Sequence, residues 1–280
     1  MRVNAYAKIN IGLDVVRRME NGYHELRMIM APINLYDTID ISFAAEQKIT
    51  SNLRYIPTDE RNSVVKVINR LRDIYHFEDQ FEIHINKMVP TQAGLGGGSA
   101  DAAVTIDVLN AILELGMSEE EKLEFGKSIG ADVPFCLKKK TCYVEGIGEK
   151  LTPFRMNCPF YMLLVKPKMG VSTKLAFEML DFETLEHPDI PKIRTALEEN
   201  EYPLLLNSLG NSLEQTALQL VEEIGTLKEE LIRFGFDAAV MSGSGSTVIA
   251  FTRDRVLLEN GFHHFRGKYR FVKKTQIIEP

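Results

Sequence analysis

Four glycines fall within five positions in the run Pro90-Thr91-Gln92-Ala93-Gly94-Leu95-Gly96-Gly97-Gly98-Ser99-Ala100-Asp101, and few backbone arrangements can accommodate them. Before the run, Phe81, Ile83 and Ile85 alternate with Glu82, His84 and Asn86, the period of a half-buried strand that Pro90 ends. After it, Val104, Val108, Ile112 and Leu115 recur at helical spacing, with Asp107, Asn110 and Glu114 on the opposite side. The order is strand, glycine loop, helix. Glycine admits positive φ and lets backbone approach a ligand with no Cβ in the way, while the first helical amides point at the same place. An anion there gains only ~0.3–1 kcal/mol per charge from the helix dipole, so holding a triphosphate takes several amides and a cation together. A glycine-rich turn without a ligand is the alternative on this stretch alone.

The N-terminal stretch alternates strictly, with Val3, Ala5, Ala7, Ile9, Ile11, Leu13 and Val15 on one face. The other face carries Tyr6, Lys8, Asn10 and Asp14; Lys8 and Asn10 are about 6–7 Å apart along such a strand. By itself Lys8 reads as a solvated strand lysine. Asn21-Gly22 marks a hairpin turn, followed by Tyr23-His24. Asn62-Ser63 caps a helix whose buried stripe is Val64, Val65, Ile68, Leu71 and Tyr75, and Ser118 with Glu121 forms a capping box. In Gly130-Ala131-Asp132-Val133-Pro134, the aspartate sits in surroundings too apolar for an ordinary surface loop, and its residues alone leave a chemical group and a turn cap equally open. Farther on, a single helix is expected over residues 212–234, ended by Gly235, with strands over 238–241, 247–251 and 269–278. Ser242-Gly243-Ser244-Gly245 is a second small-residue loop between two of those strands.

Composition limits the classes of function. A net charge of −6 argues against nucleic acid as the main partner and means that an anionic ligand needs local help. Cys136, Cys142 and Cys158 form no metal-ligand spacing with the six histidines, and an odd count makes a poor disulfide framework, as suits a reducing cytoplasm. No leader and no long apolar run is evident, so a soluble protein without a membrane segment is expected.

The glycine run is no Walker A loop, because no lysine follows Gly98, and no dinucleotide fingerprint, because no acid stands about 20 residues on. It resembles motif two, Pro-x-x-x-Gly-Leu-Gly-x-Ser, of the galactokinase, homoserine kinase, mevalonate kinase and phosphomevalonate kinase (GHMP) superfamily. Ala7-Lys8-Ile9-Asn10 resembles motif one, and Ser242-Gly243-Ser244-Gly245 motif three. Gly22-Tyr23-His24 and Gly130-Ala131-Asp132-Val133-Pro134 are similar to signatures of one branch, the diphosphocytidyl-methylerythritol kinases. The five matches keep the family order and span nearly the whole chain.

What this resemblance implies is specific. The fold would be α+β and two-domain, with an N-terminal domain over residues 1–156 like the second domain of ribosomal protein S5 and a ferredoxin-like C-terminal domain over 157–280. ATP with Mg²⁺ would be cradled by Pro90, Thr91, Gln92, Ala93, Gly94, Leu95, Gly96, Gly97, Gly98, Ser99 and Ala100, with Asn62 and Lys87 near the adenine. Lys8 would stabilise charge at the reacting oxygens and Asp132 take the proton from the substrate hydroxyl. The substrate, a cytidine diphosphate-linked methylerythritol, would meet Asn10, Tyr23, His24, Phe177, Gly243, Ser244 and Gly245, its cytosine between Tyr23 and Phe177; Phe177 is also readable as core. No protein-held metal is expected, and the state would be a monomer or weak homodimer. Ala93 and Ala100 depart from the Gly and Ser of many relatives, which touches the hydrogen bonding around the β-phosphate. The alternatives are another small-alcohol kinase of the superfamily and a non-catalytic nucleotide-binding regulator; RNA binding is disfavoured by the acidic charge.

Overall fold

The computed structural model describes residues 1–278 and is mixed α and β, as expected. By contact density the chain gathers into two units, neither of them continuous in sequence. One collects Met1–Lys8, Leu35–Pro90 and Gly96–Lys139; the other collects Ile9–Asn34, Thr91–Leu95 and the chain from Lys140 onward. Two long strands, β1 (Arg2–Arg18) and β2 (His24–Ala44), contribute residues to each unit.

In the first unit the second half of β2 pairs antiparallel with β4 (Gln80–Asn86), from Thr38↔Asn86 to Ala44↔Gln80. A short β3 (Lys48–Ser51) lies parallel to β4. Helix α1 (Ser63–Tyr75) is capped by Asn62, whose Oδ1 accepts from Val64 N, and buries Val64, Val67, Ile68 and Leu71. Val65, expected in that stripe, is only half-buried. Helix α2 (Gly97–Ile112) packs on α1 and on α4 (Val133–Lys138); α3 (Glu119–Ile129) begins with the expected capping box of Ser118 and Glu121. The α2 sequence is rich in alanine and valine because it is buried nearly all round, from Ala100 to Ile106 without a break.

In the second unit the first half of β2 pairs with β5 (Cys142–Gly146), which pairs with β6 (Lys150–Pro153). A separate antiparallel sheet is ordered β10-β7-β9-β8, built from β7 (Tyr161–Lys166), β8 (Ala238–Met241), β9 (Val248–Thr252) and β10 (Phe271–Thr275). Its helices are α5 (Thr173–Glu178), α6 (Ile190–Glu198), α7 (Tyr202–Ser208), α8 (Glu214–Leu220), α9 (Glu223–Phe234) and α10 (Arg255–Arg266). The single helix expected over 212–234 is therefore two: Val221 leaves helical geometry at φ −142°, ψ 85°, and α9 begins afresh at Glu223. The apolar period continues through the break, which is why sequence periodicity does not reveal it.

No helix among the described residues is long and apolar enough to cross a membrane. Strand β1 departs from the half-buried pattern its alternation predicts: Lys8, Asn10 and Asp14 are all at least as buried as 5% exposure, like the apolar face opposite. Polar side chains on a strand buried on both faces require specific partners.

Candidate active site

In the first unit Lys8 projects from β1 and brings its Nζ to 3.3 Å from Asp132 Oδ2. Asp132 stands at the N-cap position of α4, yet its side chain makes no capping hydrogen bond. Its carboxylate is about one-third exposed, whereas the lysine side chain is 6% exposed, so the pair presents its oxygen side outward. The α2 helix starts directly beside it. Gly96, at φ 66°, lies on the Lys8 stem: a Cβ there would meet Lys8 Cγ at 2.9 Å and Cε at 3.0 Å. The glycine thus allows the loop both to turn and to rest on the lysine.

Positive φ is adopted by Gln92, Gly94 and Gly96, but not by Gly97 or Gly98. Gly97 is required for another reason. A Cβ on it would stand 2.9 Å from Val89 Cγ1 and 3.3 Å from Lys87 Nζ. Gly98 is the open one, with Ser63 Oγ at 3.6 Å from an added Cβ, and its carbonyl accepts from that hydroxyl at 2.6 Å. Ala100 is buried and its N–H already closes the first helical bond to Gly96 O.

Beneath the loop Lys87 is buried and bridges two carboxylates, Asp37 and Asp101, the second at 2.6 Å. Asp37 Oδ1 also accepts from Val89 N at 2.8 Å, so this lysine ties β2, the segment after β4 and the second turn of α2 together. Burial opposes the Lys87 charge, but the two carboxylates outweigh it and raise its pKa. Burial raises the Asp101 pKa, despite the nearby ammonium, and Asp101 Oδ1 is left without a hydrogen-bond partner. Asn62 is similarly occupied: beyond its cap bond, its Nδ2 donates to Pro57 O at 2.7 Å. Asp37 and Asp101 were not singled out by the sequence; Asp101 carries a signal, an acid in the small-residue run Ser99-Ala100-Asp101-Ala102-Ala103, whereas Asp37, between Tyr36 and Thr38, carries none. An open cavity of about 320 Å³ in this unit, lined by Val3, Asn4, Tyr6, Val104, Asp107, Val108 and Lys139, contains none of these groups.

In the second unit the 242–245 loop is held by Ser242. Its Oγ accepts from Asn10 N at 3.1 Å and donates to Gly94 O at 3.0 Å, joining the residues of all three motifs. Asn10 Nδ2 donates to Met28 Sδ at 3.2 Å. Gly243 and Gly245 have φ of 56° and 88°, and Asn211 Nδ2 donates to the carbonyls of Met241 and Gly243. Ser244 Oγ lies 2.7 Å from Thr173 Oγ1. His24 stacks with Phe177 at 5.0 Å between centroids and 30° between planes, and with Phe182 at 5.9 Å and 10°. Burial, then the Arg18 charge, lowers the His24 pKa, so near neutral pH the ring is uncharged, with one donor and one acceptor. Tyr23 is 60% exposed at the start of β2, its N–H donating to Asn21 Oδ1 in the turn. Phe182, Asn211 and Thr173 are residues here that sequence reasoning did not pick out, and Ser242, though part of the third motif, was given no role by it.

Comparison with known proteins identifies the family. The family model described as the GHMP kinases N terminal domain matches residues 62–140, and that of the GHMP kinases C terminal matches residues 182–270. A 4-diphosphocytidyl-2-C-methyl-D-erythritol kinase of Clostridium acetobutylicum is 39% identical, over 99% of this chain and 100% of the relative. One of the same name from Lachnospira eligens is also 39% identical, over 100% and 99%. A crystal structure of 4-(cytidine 5'-diphospho)-2C-methyl-D-erythritol kinase superposes with a TM-score of 0.82 at 27% identity, covering 98% of this chain and 99% of that one. A homoserine kinase from Cytophaga hutchinsonii superposes at 0.75 with 17% identity, covering 98% and 96%, a likeness of fold alone.

Proposed function

The chain belongs to the 4-diphosphocytidyl-2-C-methyl-D-erythritol kinases of the GHMP kinase superfamily, and from that premise we propose that it transfers the γ-phosphoryl group of ATP to the 2-hydroxyl of 4-diphosphocytidyl-2-C-methyl-D-erythritol. The products are the 2-phosphate and ADP, in non-mevalonate isoprenoid precursor biosynthesis. The observation that carries the assignment of roles is the Lys8–Asp132 pair at 3.3 Å beside the first amides of α2.

Asp132 accepts the hydroxyl proton as the oxygen attacks the γ-phosphorus and the bond to the β–γ bridging oxygen breaks, releasing ADP. Its freedom from any capping bond supports that role over a structural one. The Lys8 ammonium holds the carboxylate in place and offsets the negative charge that develops on the transferring oxygens. The Gly94–Ser99 loop binds the triphosphate through backbone amides, and Asn62 and Lys87 support its walls near the adenine through the bonds they already make. The neutral His24 imidazole reads the cytosine edge, and the rings of Tyr23 and Phe177 supply its faces. Asn10 and the Gly243–Gly245 loop line the path of the acceptor.

Among the described residues no three carboxylate, His or Cys groups gather as a metal cage. A Mg²⁺ carried in on ATP would keep mostly phosphate and water ligands, and the Ser99 hydroxyl is the loop oxygen this chain could add to them. Bound there, Mg²⁺ would neutralise phosphate charge. ADP release measured with and without the diphosphocytidyl substrate tests the reading; release that does not depend on that substrate overturns it.

A further inference from the structure

The segment between α5 and α6, residues 181–189, has no regular structure yet is held at both ends. At its start Asp181 Oδ1 accepts from Glu183 N at 3.0 Å and Oδ2 from Thr184 Oγ1 at 3.1 Å, a turn that fixes the intervening Phe182. At its end His187 Nδ1 lies 2.7 Å from Asp14 Oδ1. A carboxylate only accepts, so Nδ1 carries the proton and donates it to Asp14. Ser212 completes the anchor: its Oγ donates to Glu186 O at 2.8 Å and accepts from Val15 N at 3.2 Å, and lies 3.3 Å from the same Asp14 oxygen. Asp14 is 8% exposed at its side chain, and no step of the proposed chemistry uses it. Gly210 leaves room for the segment, since a Cβ there would meet Pro188 Cβ at 2.8 Å.

Between those anchors the segment lays Phe182, 37% exposed, nearly parallel to the His24 ring of the proposed base site. An exposed phenyl ring on an irregular segment, doubly tethered and laid on an uncharged imidazole, is a costly arrangement unless the ring has work there. We propose that Phe182 is a wall of the pyrimidine site, setting the position of His24 against the base, and that the Asp14–His187–Ser212 anchor is the positioning unit that holds this wall in place. The proposal rests on the cytidine reading of His24 and adds to it a specificity residue and its support.

The test is steady-state kinetics of the full chain with ATP and the diphosphocytidyl substrate. Phe182→Ala should raise the KM for that substrate roughly three- to tenfold, the scale of one lost ring contact, with kcat and the KM for ATP little changed. Phe182→Tyr should restore the KM, whereas Phe182→Leu should not. His187→Ala should raise the same KM, His187→Asn, whose amide can still donate to Asp14, should recover it, and the double variant Phe182→Ala/His187→Ala should be no worse than Phe182→Ala alone. An unchanged KM in Phe182→Ala, in a parent enzyme that does turn over the substrate, overturns the wall. A His187→Ala that loses only melting temperature or kcat overturns the anchor. Failure of the parent to release ADP with this substrate would instead overturn the cytidine reading itself.

Discussion

At the scale of single residues, the Lys8–Asp132 pair makes two different failures separable. Losing a general base lowers rate by ~10²–10⁴-fold, whereas losing a helix cap costs about 0.5–2 kcal/mol of stability and spares the chemistry. Asp132 makes no cap bond, so Asp132→Asn should fold, bind ATP and substrate nearly normally and turn over at least ~100-fold more slowly in an ADP-release assay. A variant that melts early yet keeps its rate per folded molecule would return Asp132 to a structural role. If, as proposed, Lys8 acts on the same transition state, Lys8→Met should lower turnover too, and the double variant should lose less than the product of the single losses. The glycines divide in the same way. Gly94→Ala would put a Cβ 1.9 Å from Ser242 O at φ 73°, and should both melt early and lose activity; Gly98→Ala meets only Ser63 Oγ at 3.6 Å and should melt with the parent. A reduced ATP affinity in that intact Gly98→Ala protein would mark the loop face as the phosphate site, and an unchanged affinity would move the nucleotide elsewhere. Gly97→Val, whose harm sequence alone would ascribe to a positive φ, is excluded by Val89 and Lys87 instead, so its loss of ATP binding should come with a loss of stability.

At the scale of elements, the start of α2 is fixed by the Asp37–Lys87–Asp101 cluster, three charges in an almost dry place. Removing the lysine leaves two buried carboxylates facing one another, which costs ~3–5 kcal/mol; removing one carboxylate charge leaves a matched pair. Lys87→Met should therefore melt far below Asp101→Asn, and equal melting temperatures would mean that the cluster does not anchor the helix. The pH dependence has a definite sign. Asp101 has a folded pKa above its unfolded one, so its contribution to stability is complete below the ordinary carboxylate pKa near ~3.9 and is lost as pH rises through the raised value. The stability of the parent relative to Asp101→Asn should thus decline from acid toward neutral pH, and a difference that grows over that range would contradict the assignment. This cluster also marks a limit of sequence reading. The strand, loop and helix around the glycines were legible because periodicity and glycine density are local; the partner of Lys87 lies 50 residues away at Asp37, and no local pattern links them. The break at Val221 and the burial of both faces of β1 escaped for the same reason, since each is decided by packing.

At the scale of the whole molecule, the fold and the substrate are carried by different residues. The homoserine kinase shares the fold over nearly the full chain with little of the sequence. A shared scaffold with so little sequence in common leaves the acceptor to be chosen by a handful of side chains on it. In the proposed mechanism the phosphate-loop and Lys8–Asp132 groups would serve any alcohol, whereas Tyr23, His24 and Phe177 would suit only an acceptor that carries a flat, hydrogen-bonding ring. Cytidine diphosphate lacks the reacting hydroxyl but keeps that ring and the diphosphate, and it should inhibit competitively against the alcohol substrate while leaving the KM for ATP unchanged. Mevalonate and homoserine should neither stimulate ADP release nor compete. His24→Ala should weaken cytidine diphosphate inhibition by about tenfold, the scale of one lost hydrogen bond of ~1.5 kcal/mol, and weaken the alcohol's binding in parallel. If cytidine diphosphate competes with ATP instead, the aromatic cluster at His24 is not the acceptor's site, and the chain would be a kinase of this fold with a different alcohol to phosphorylate.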